Sequence, residues 1–177
     1  MIAMQRLQAV VFRISKFAGQ ISAVILVAMV AHVILEIILR SFFHTSTFVL
    51  DEYVGYGIAA MTYLSLAYAF EEGSLIRVNL VLIRLRGRLR RIVEYFCIVA
   101  TLGITIFIAA FFWRSVKRNW DRGAVSESMV ETPLWIPEAL VFVGLVLFAI
   151  QLLAYFVRLL GGEQPMGVDR SADPGRR

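Results

Sequence analysis

Four apolar runs follow one another along this sequence, and polar or basic segments separate them. They cover residues 21–39, 53–70, 92–113 and 136–157. A helix needs about 20 mainly apolar residues to cross the ~30 Å hydrocarbon layer of a bilayer, and each run is close to that length. The pattern therefore predicts an all-α fold, a polytopic membrane protein with four transmembrane helices.

The segments around these runs predict one domain and a tail. We predict a single four-helix membrane domain over residues 1–160 and a polar tail over residues 161–177. The tail is rich in glycine, proline and charged residues and lacks an apolar run, which is typical of disorder. Pro133 and Pro137 suit a loop and the first turn of the fourth helix, because proline lacks the N–H that a helix interior requires.

Composition supports lipid as the solvent of this chain. The sequence is 59% hydrophobic and 18% charged, with a mean hydropathy of +0.75. A soluble domain of 177 residues could not hide that much apolar surface from water. The net charge of +5 could indicate nucleic-acid binding, but the basic residues lie between the apolar runs, where they indicate topology. We therefore expect membrane lipids, and no nucleic acid, as partners.

The basic residues predict which loops face the cytoplasm. Three Lys/Arg precede the first run, six lie in residues 71–91 and four follow the fourth run, thirteen in all on one side. The other side carries five, in residues 40–52 and 114–135. Because Lys and Arg concentrate in cytoplasmic loops, both termini are predicted to be cytoplasmic and these two loops to face outward.

Few ionisable residues interrupt the runs. His32, Glu36 and Arg40 are four apart and share one side of a helix, so Glu36 and Arg40 are predicted to form an intramembrane ion pair near the outer interface. We interpret this pair as structural or as a partner contact. Glu94 is predicted to reach water or an arginine near the cytoplasmic surface, and Gln151 to form a hydrogen bond between helices.

The loop between the second and third runs carries a basic stripe. In a helical conformation Arg77, Arg84, Arg88 and Arg91 return to one face, while leucine, valine and isoleucine side chains supply apolar area. One interpretation is a basic amphipathic cytoplasmic segment whose stripe faces an anionic leaflet. The other is a cytoplasmic extension of the third helix, and the sequence leaves both open.

The second run has two further features. Asp51 and Glu52 precede it, where acidic residues interact favourably with the helix dipole or dock another chain. Gly57 and Ala60 belong to its many small residues, which predict close packing against another helix in lipid.

The sequence contains no pattern that indicates catalysis. It has no phosphate-binding loop, nucleophile motif or metal-ligand spacing. Its one cysteine, Cys97, lies inside an apolar run. His32 and His44 would be separated by about 18 Å of helical rise, so they could not ligate one haem iron. We therefore predict that the chain is not an enzyme and binds no cofactor or metal.

Several short motifs occur in a recognisable order. Arg40 ends the first helix, an acidic pair and an aromatic residue begin the second, and Ile136-Pro137 begins the fourth. The remaining matching positions are Asp51, Glu52, Tyr53, Gly73, Ile76, Arg77, Val78 and Leu80. Over residues 20–160 this order resembles the small membrane subunit of tripartite ATP-independent periplasmic (TRAP) transporters, the DctQ-like family. Leu75 and Asn79 depart from the family, which often has histidine and aspartate there, so roles that need those side chains are not carried over.

The resemblance implies a transport complex in the bacterial inner membrane. A large permease subunit would carry the substrate and sodium sites, and a periplasmic substrate-binding protein would deliver an organic acid. This chain would be the non-catalytic scaffold. Candidate partner-interface or structural residues are Arg40, Asp51, Glu52, Tyr53, Gly57, Ala60, Gly73, Ile76, Arg77 and Asn79. The alternatives are a small multidrug-type exporter, for which Glu36 would be the transport carboxylate, and the membrane anchor subunit of a respiratory enzyme.

Overall fold

Four helices make up the part of the chain that the structure describes. The computed structural model describes residues 2–72 and 88–160, with side chains for residues 8–72, 89 and 92–160. The helices are α1 (Ile2–Phe42), α2 (Leu50–Glu71), α3 (Arg88–Arg122) and α4 (Trp135–Leu160). Each helix contains one predicted apolar run, and the prediction of an all-α membrane fold is confirmed for these residues.

Three of these helices are long and apolar enough to cross a membrane. The qualifying segments are Gln8–Phe42, Ile92–Arg122 and Trp135–Leu160. The helix α2 does not qualify, since it has four tyrosines and several glycine, serine and threonine residues among its 22 positions. Its crossing of the membrane stays a prediction.

The helix α2 nevertheless runs the length of α4. Near its start, the Tyr53 hydroxyl lies 3.4 Å from Thr132 Oγ1, just before α4 begins. At its end, Arg158 Nη1 donates to Glu71 Oε1 at 3.0 Å, close to the end of α4. The two helices therefore run side by side in the same direction, from one end of the bundle to the other.

The core lies where α2 and α4 pack together. Phe70 of α2 meets Phe148 and Tyr155 of α4 edge to face, with ring centroids 5.7 and 5.5 Å apart. Leu152 is 1% exposed, and Ile98 of α3 joins the same cluster. The helices α2 and α4 thus form the centre, which α1 and α3 flank.

The flanking helix α1 buries a narrow face of small residues. Ser15, Ala18 and Ser22 are buried, and the Ser22 hydroxyl donates to the main-chain oxygen of Met61 on α2. Most other α1 side chains are exposed and apolar, such as Val24 at 68%. Small residues allow backbones to approach closely in lipid, and the exposed apolar face suits contact with hydrocarbon.

The prediction of a loop over residues 114–135 is wrong for its first part, because α3 continues to Arg122. Residues 114–122 contain no glycine or proline to end the helix. Gly123, with a φ of +60°, closes it: Gly123 N–H donates to Trp120 O and Ala124 N–H to Asn119 O, the paired bonds of a Schellman motif. The polar part of the loop is therefore a helical extension.

Candidate functional site at the hairpin end

A short hairpin joins α3 to α4. We use "the hairpin" for residues 123–134 and "the hairpin end" for the end of the bundle that carries it together with residues 43–49. Val125 pairs with Pro133 in an antiparallel bridge, and Ser126 N–H donates to Thr132 O at 2.9 Å. Met129, at the tip, is 84% exposed. The hairpin thus presents an exposed tip on a hydrogen-bonded stem.

Glu36 holds the α1–α2 loop against α1. It is 1% exposed, and it accepts hydrogen bonds from Thr47 N at 2.9 Å, Thr47 Oγ1 at 2.7 Å and the Ser46 hydroxyl. Thr47 Oγ1 also lies 3.5 Å from His32 Nε2. A carboxylate has about four acceptor positions, so these donors explain how it is buried.

The structure brings Glu36 and Arg40 together. Arg40 Nε donates to Glu36 Oε1 at 2.7 Å, while the Arg40 side chain is 64% exposed. Arg40 Nη2 also lies 3.4 Å from Ser46 Oγ. Glu36 is therefore the buried member of the pair, which holds the loop, and Arg40 lies on its exposed side.

The predicted motif at the start of α2 divides into three environments. Asp51 is exposed. Glu52 lies beside the hairpin, and Tyr53 contacts Thr132 of the hairpin on one side. The Tyr53 ring also meets His32 of α1, with centroids 6.3 Å apart. The motif thus joins α1, α2 and the hairpin and leaves one carboxylate at the surface.

Hydroxyl groups of the hairpin set the electrostatics of Glu52, which precedes the predicted second span. Hydrogen bonding from Ser128, then Ser126, outweighs partial desolvation and lowers the pKa of the Glu52 carboxyl below its ordinary value of 4.5. Its Oε1 is shielded from solvent and makes no hydrogen bond of ordinary geometry with the residues described. The charged form of Glu52 is therefore favoured beside the hairpin.

The other side of the hairpin end is fixed by Glu138, which sequence reasoning missed. Its carboxylate accepts from Ser115 Oγ at 3.0 Å and from Asn119 Nδ2 at 2.9 Å, both on the extension of α3. Trp120 and Trp135 pack edge to face 4.7 Å apart next to these bonds. The spacing of four between Ser115 and Asn119, opposite an acid in the first turn of α4, is the signal that could have found it.

Polar contacts also tie the helices at the opposite end of the bundle. Gln151 of α4 accepts from Ser15 Oγ at 3.3 Å and donates to Glu71, which also pairs with Arg158. The predicted interhelical hydrogen bond of Gln151 is confirmed. Three helices meet at this one amide.

The prediction that Glu94 reaches water is wrong, whereas its alternative, a nearby arginine, concerns the side chains of Arg90 and Arg91, which lie outside the described part of the structure. Glu94 is 5% exposed, and its Oε1 accepts from the Tyr155 hydroxyl at 2.7 Å. Its Oε2 has no hydrogen-bond partner in the described part of the chain. The reason is that Glu94 faces α4 from the first turns of α3 instead of the lipid boundary.

Gly57 and Ala60 pack inside the chain. A Cβ at Gly57 would collide with the Met29 side chain of α1, and Ala60 is 2% exposed. Gly144 of α4 allows a close backbone contact with α2, since a Cβ there would lie 2.5 Å from the carbonyl carbon and oxygen of Tyr63. The small residues of α2 therefore allow close packing against α1 and α4. The role of Gly144 could not be predicted from the sequence, because a single glycine in an apolar run does not indicate which helix it packs against.

The remaining predicted residues lie outside the described part of the structure. The helix α3 begins at Arg88 and includes Arg91, but their side chains are not described. The basic stripe stays a prediction. The other residues outside the description are Gly73, Ile76, Arg77, Asn79 and Arg84.

These features define a polytopic α-helical membrane protein whose polar side chains fasten helices and loops to one another. The family model described as tripartite ATP-independent periplasmic transporters, DctQ component, matches residues 29–162. No curated protein matches the chain. The chain belongs to the DctQ family and is the small component of a TRAP transporter, which confirms the resemblance found in the sequence.

Proposed function

We propose that this chain is a non-catalytic scaffold in the bacterial inner membrane that holds a large permease subunit. The complex would perform sodium-coupled, binding-protein-dependent uptake of an organic acid. The observation that carries the proposal is that three polar side chains of the described helices, Glu36, Glu138 and Gln151, are hydrogen-bonded to neighbours in the same chain. The substrate and sodium sites would then belong to the large subunit.

Three polar residues support this division of labour. Glu36 is occupied by four donors, Gln151 by Ser15 and Glu71, and Glu138 by Ser115 and Asn119. A transport path needs polar groups that are free to bind and release a solute. Ionisable groups are costly in hydrocarbon, so those that a membrane protein retains either line such a path or pair with neighbours. These side chains instead satisfy one another, which suits a static support.

The same reasoning disfavours the exporter alternative. An exporter of this size would need a membrane carboxylate that exchanges protons for a cationic solute. Glu36 is the candidate, but the donors of Ser46, Thr47 and Arg40 surround it at the end of α1. A committed carboxylate at the edge of the bundle fits a loop anchor better.

We further propose four membrane crossings with both termini in the cytoplasm. The contacts of Tyr53 with Thr132 and of Glu71 with Arg158 support a full-length α2, because they match it to the span candidate α4 at both ends. The hairpin end would then face the periplasm. Asp51 and Met129 are exposed there and are proposed to meet the substrate-binding protein.

Reconstitution tests the scaffold role. The chain, a large permease subunit and a binding protein are placed together in proteoliposomes and assayed with a panel of labelled organic acids. We expect uptake only when all three proteins and a sodium gradient are present. Proton-driven export of a cationic dye by this chain alone would overturn the proposal.

A charge reversal tests the docking role separately. Asp51→Lys should reduce binding-protein-dependent uptake while leaving co-purification with the large subunit intact. Asp121→Lys is the matched control, because Asp121 is an exposed acid on the α3 extension. Equal uptake in both variants would refute the docking role and leave the scaffold role standing.

A further inference from the structure

A groove opens between α1 and α4 at the hairpin end. Its volume is about 310 Å³. Ile25, Ala28 and Met29 of α1 form one wall, and Leu140 of α4 forms part of the other. Gly57 and Ala60 of α2 are its floor. The groove therefore lies among three helices and ends on two of the smallest side chains in the bundle.

Among the residues that the structure describes, α1 and α4 share a side-chain hydrogen bond at one end of the bundle only. Ser15 and Gln151 join them near the opposite end, at 3.3 Å. Towards the hairpin end α1 follows α2, where the Met29 side chain fills the place that a side chain at Gly57 would take. A wedge between α1 and α4 is left open above the Ser15–Gln151 contact.

The lining changes from polar to apolar along the groove. His32, Tyr53 and Thr132 line it at the hairpin end, while Ile25, Ala28 and other apolar residues line it deeper in the bundle. The α1 wall lies inside the span candidate Gln8–Phe42, a segment apolar enough to contact hydrocarbon. This polarity matches an amphiphile whose head lies at the hairpin end.

We propose that the groove binds one acyl chain of a phospholipid, with its headgroup at the hairpin end. A partner helix about 10 Å across fills roughly 120 Å³ per residue, so the groove would hold fewer than three of its residues, whereas roughly 300 Å³ is the lower limit for sites that hold small molecules. An empty wedge would forfeit dispersion contacts along its walls. Arg40, two turns beyond His32 on the same side of α1, has a side chain that is 64% exposed, and its guanidinium would complement the lipid phosphate.

Filling the groove tests this site. The full-length chain is purified in detergent and titrated with palmitoyl-oleoyl-phosphatidylethanolamine, and native mass spectrometry counts the bound lipid. Ala28→Phe should weaken binding at least tenfold. Ala23→Phe is the matched control, since Ala23 is exposed about 140° around α1 from Ala28 and does not line the groove. Equal lipid binding by the two variants would overturn the proposal.

A second variant and a competition experiment identify what the groove holds. Leu140→Phe fills it from the α4 wall and should reproduce the loss, which keeps the test valid if Ala28→Phe fails to fold. Oleate should compete at least tenfold less well than the phospholipid. Equal competition would assign the groove to a free fatty acid, and displacement of the lipid by the large subunit would assign it to that partner. Either result overturns the proposal.

Discussion

Gly144 lies at a close backbone contact between the two central helices. Its Cα faces the main chain of Tyr63, and a Cβ there would lie 2.5 Å from the carbonyl group. Backbone atoms cannot move aside as the end of a flexible side chain can. The close contact of α2 and α4 therefore depends on the hydrogen atom of this glycine.

We expect Gly144→Ala to destabilise the bundle by about 1–3 kcal/mol, the usual cost of overpacking. Thermal unfolding followed by circular dichroism in detergent measures it. Gly103→Ala in α3 is the control, because a Cβ there meets nothing within 4 Å. The control should be neutral or stabilising by roughly 0.5–1 kcal/mol, since alanine is the better helix former. Identical melting of the two variants would contradict the close contact.

The pair Glu36–Arg40 predicts unequal effects of its two partners. Glu36→Ala removes the acceptor of Thr47 N–H and of two hydroxyl groups, and we expect the α1–α2 loop to detach. Arg40→Ala removes one largely exposed donor and should leave the loop in place. Hydrogen exchange at the Thr47 amide distinguishes them: the prediction fails if Arg40→Ala exposes that amide as much as Glu36→Ala does.

Glu52 predicts a pH dependence of the hairpin. Its pKa is lowered in the folded protein, so its contribution is fully present above the ordinary value of 4.5 and is lost as the pH falls below it. We expect protection of the Ser126 amide, corrected for the intrinsic exchange rate, to decrease as the solution is acidified through this range. Glu52→Gln should show weaker protection at neutral pH and a flatter profile. A profile as steep as that of the wild type would assign the effect to another group.

At the scale of elements, α2 shows that a helix with too little hydropathy to be recognised as a span can still be buried among other helices. Its tyrosines and small residues reduce its hydropathy, yet Ala60, Leu64, Ala67 and Phe70 are buried against neighbouring helices. A central membrane helix contacts protein on most sides and needs less apolar surface than a helix that faces lipid. The helix that falls short in hydropathy is thus one of the two that form the centre of the bundle.

The crossing of α2 is tested with single cysteines. Cys97 is first replaced by serine, and His44→Cys and Met129→Cys are then labelled in intact cells with a membrane-impermeant thiol reagent. If α2 crosses, both positions lie on the same side and both are labelled. If α2 does not cross, residues 44 and 129 lie on opposite sides. Labelling of one position alone, with both labelled after lysis, would therefore refute four crossings.

At the scale of the whole molecule, the sequence predicts the helices better than their arrangement. The apolar runs indicate all four helices because a bilayer demands long apolar segments. They do not indicate which faces meet, because lipid-facing and protein-facing positions are equally apolar. Val24 and Leu152 are both aliphatic, yet Val24 is 68% exposed and Leu152 is 1% exposed. The packing depends on single small residues such as Gly144, which an apolar pattern does not reveal.

The candidate site was predictable to a similar degree. Spacing along one helix brings Glu36 and Arg40 together, and the structure places them 2.7 Å apart. The donors that complete the site of Glu36 come from the following loop, and the hydroxyls around Glu52 come from the hairpin, more than 70 positions further along the chain. Periodicity describes neighbours on a helix, and only tertiary structure supplies the rest.

The edge-to-face contact of Trp120 with Trp135 has a consequence for spectroscopy. The chain has three tryptophans, and the third, Trp113, packs against Phe142 of α4, 5.3 Å between ring centroids. All of them lie on α3 and α4 towards the hairpin. Tryptophan fluorescence is therefore a local reporter of this end and does not report on the Gln151 contacts at the other. An emission change without a change in helicity would signal a rearrangement where α3 and α4 meet beside the hairpin.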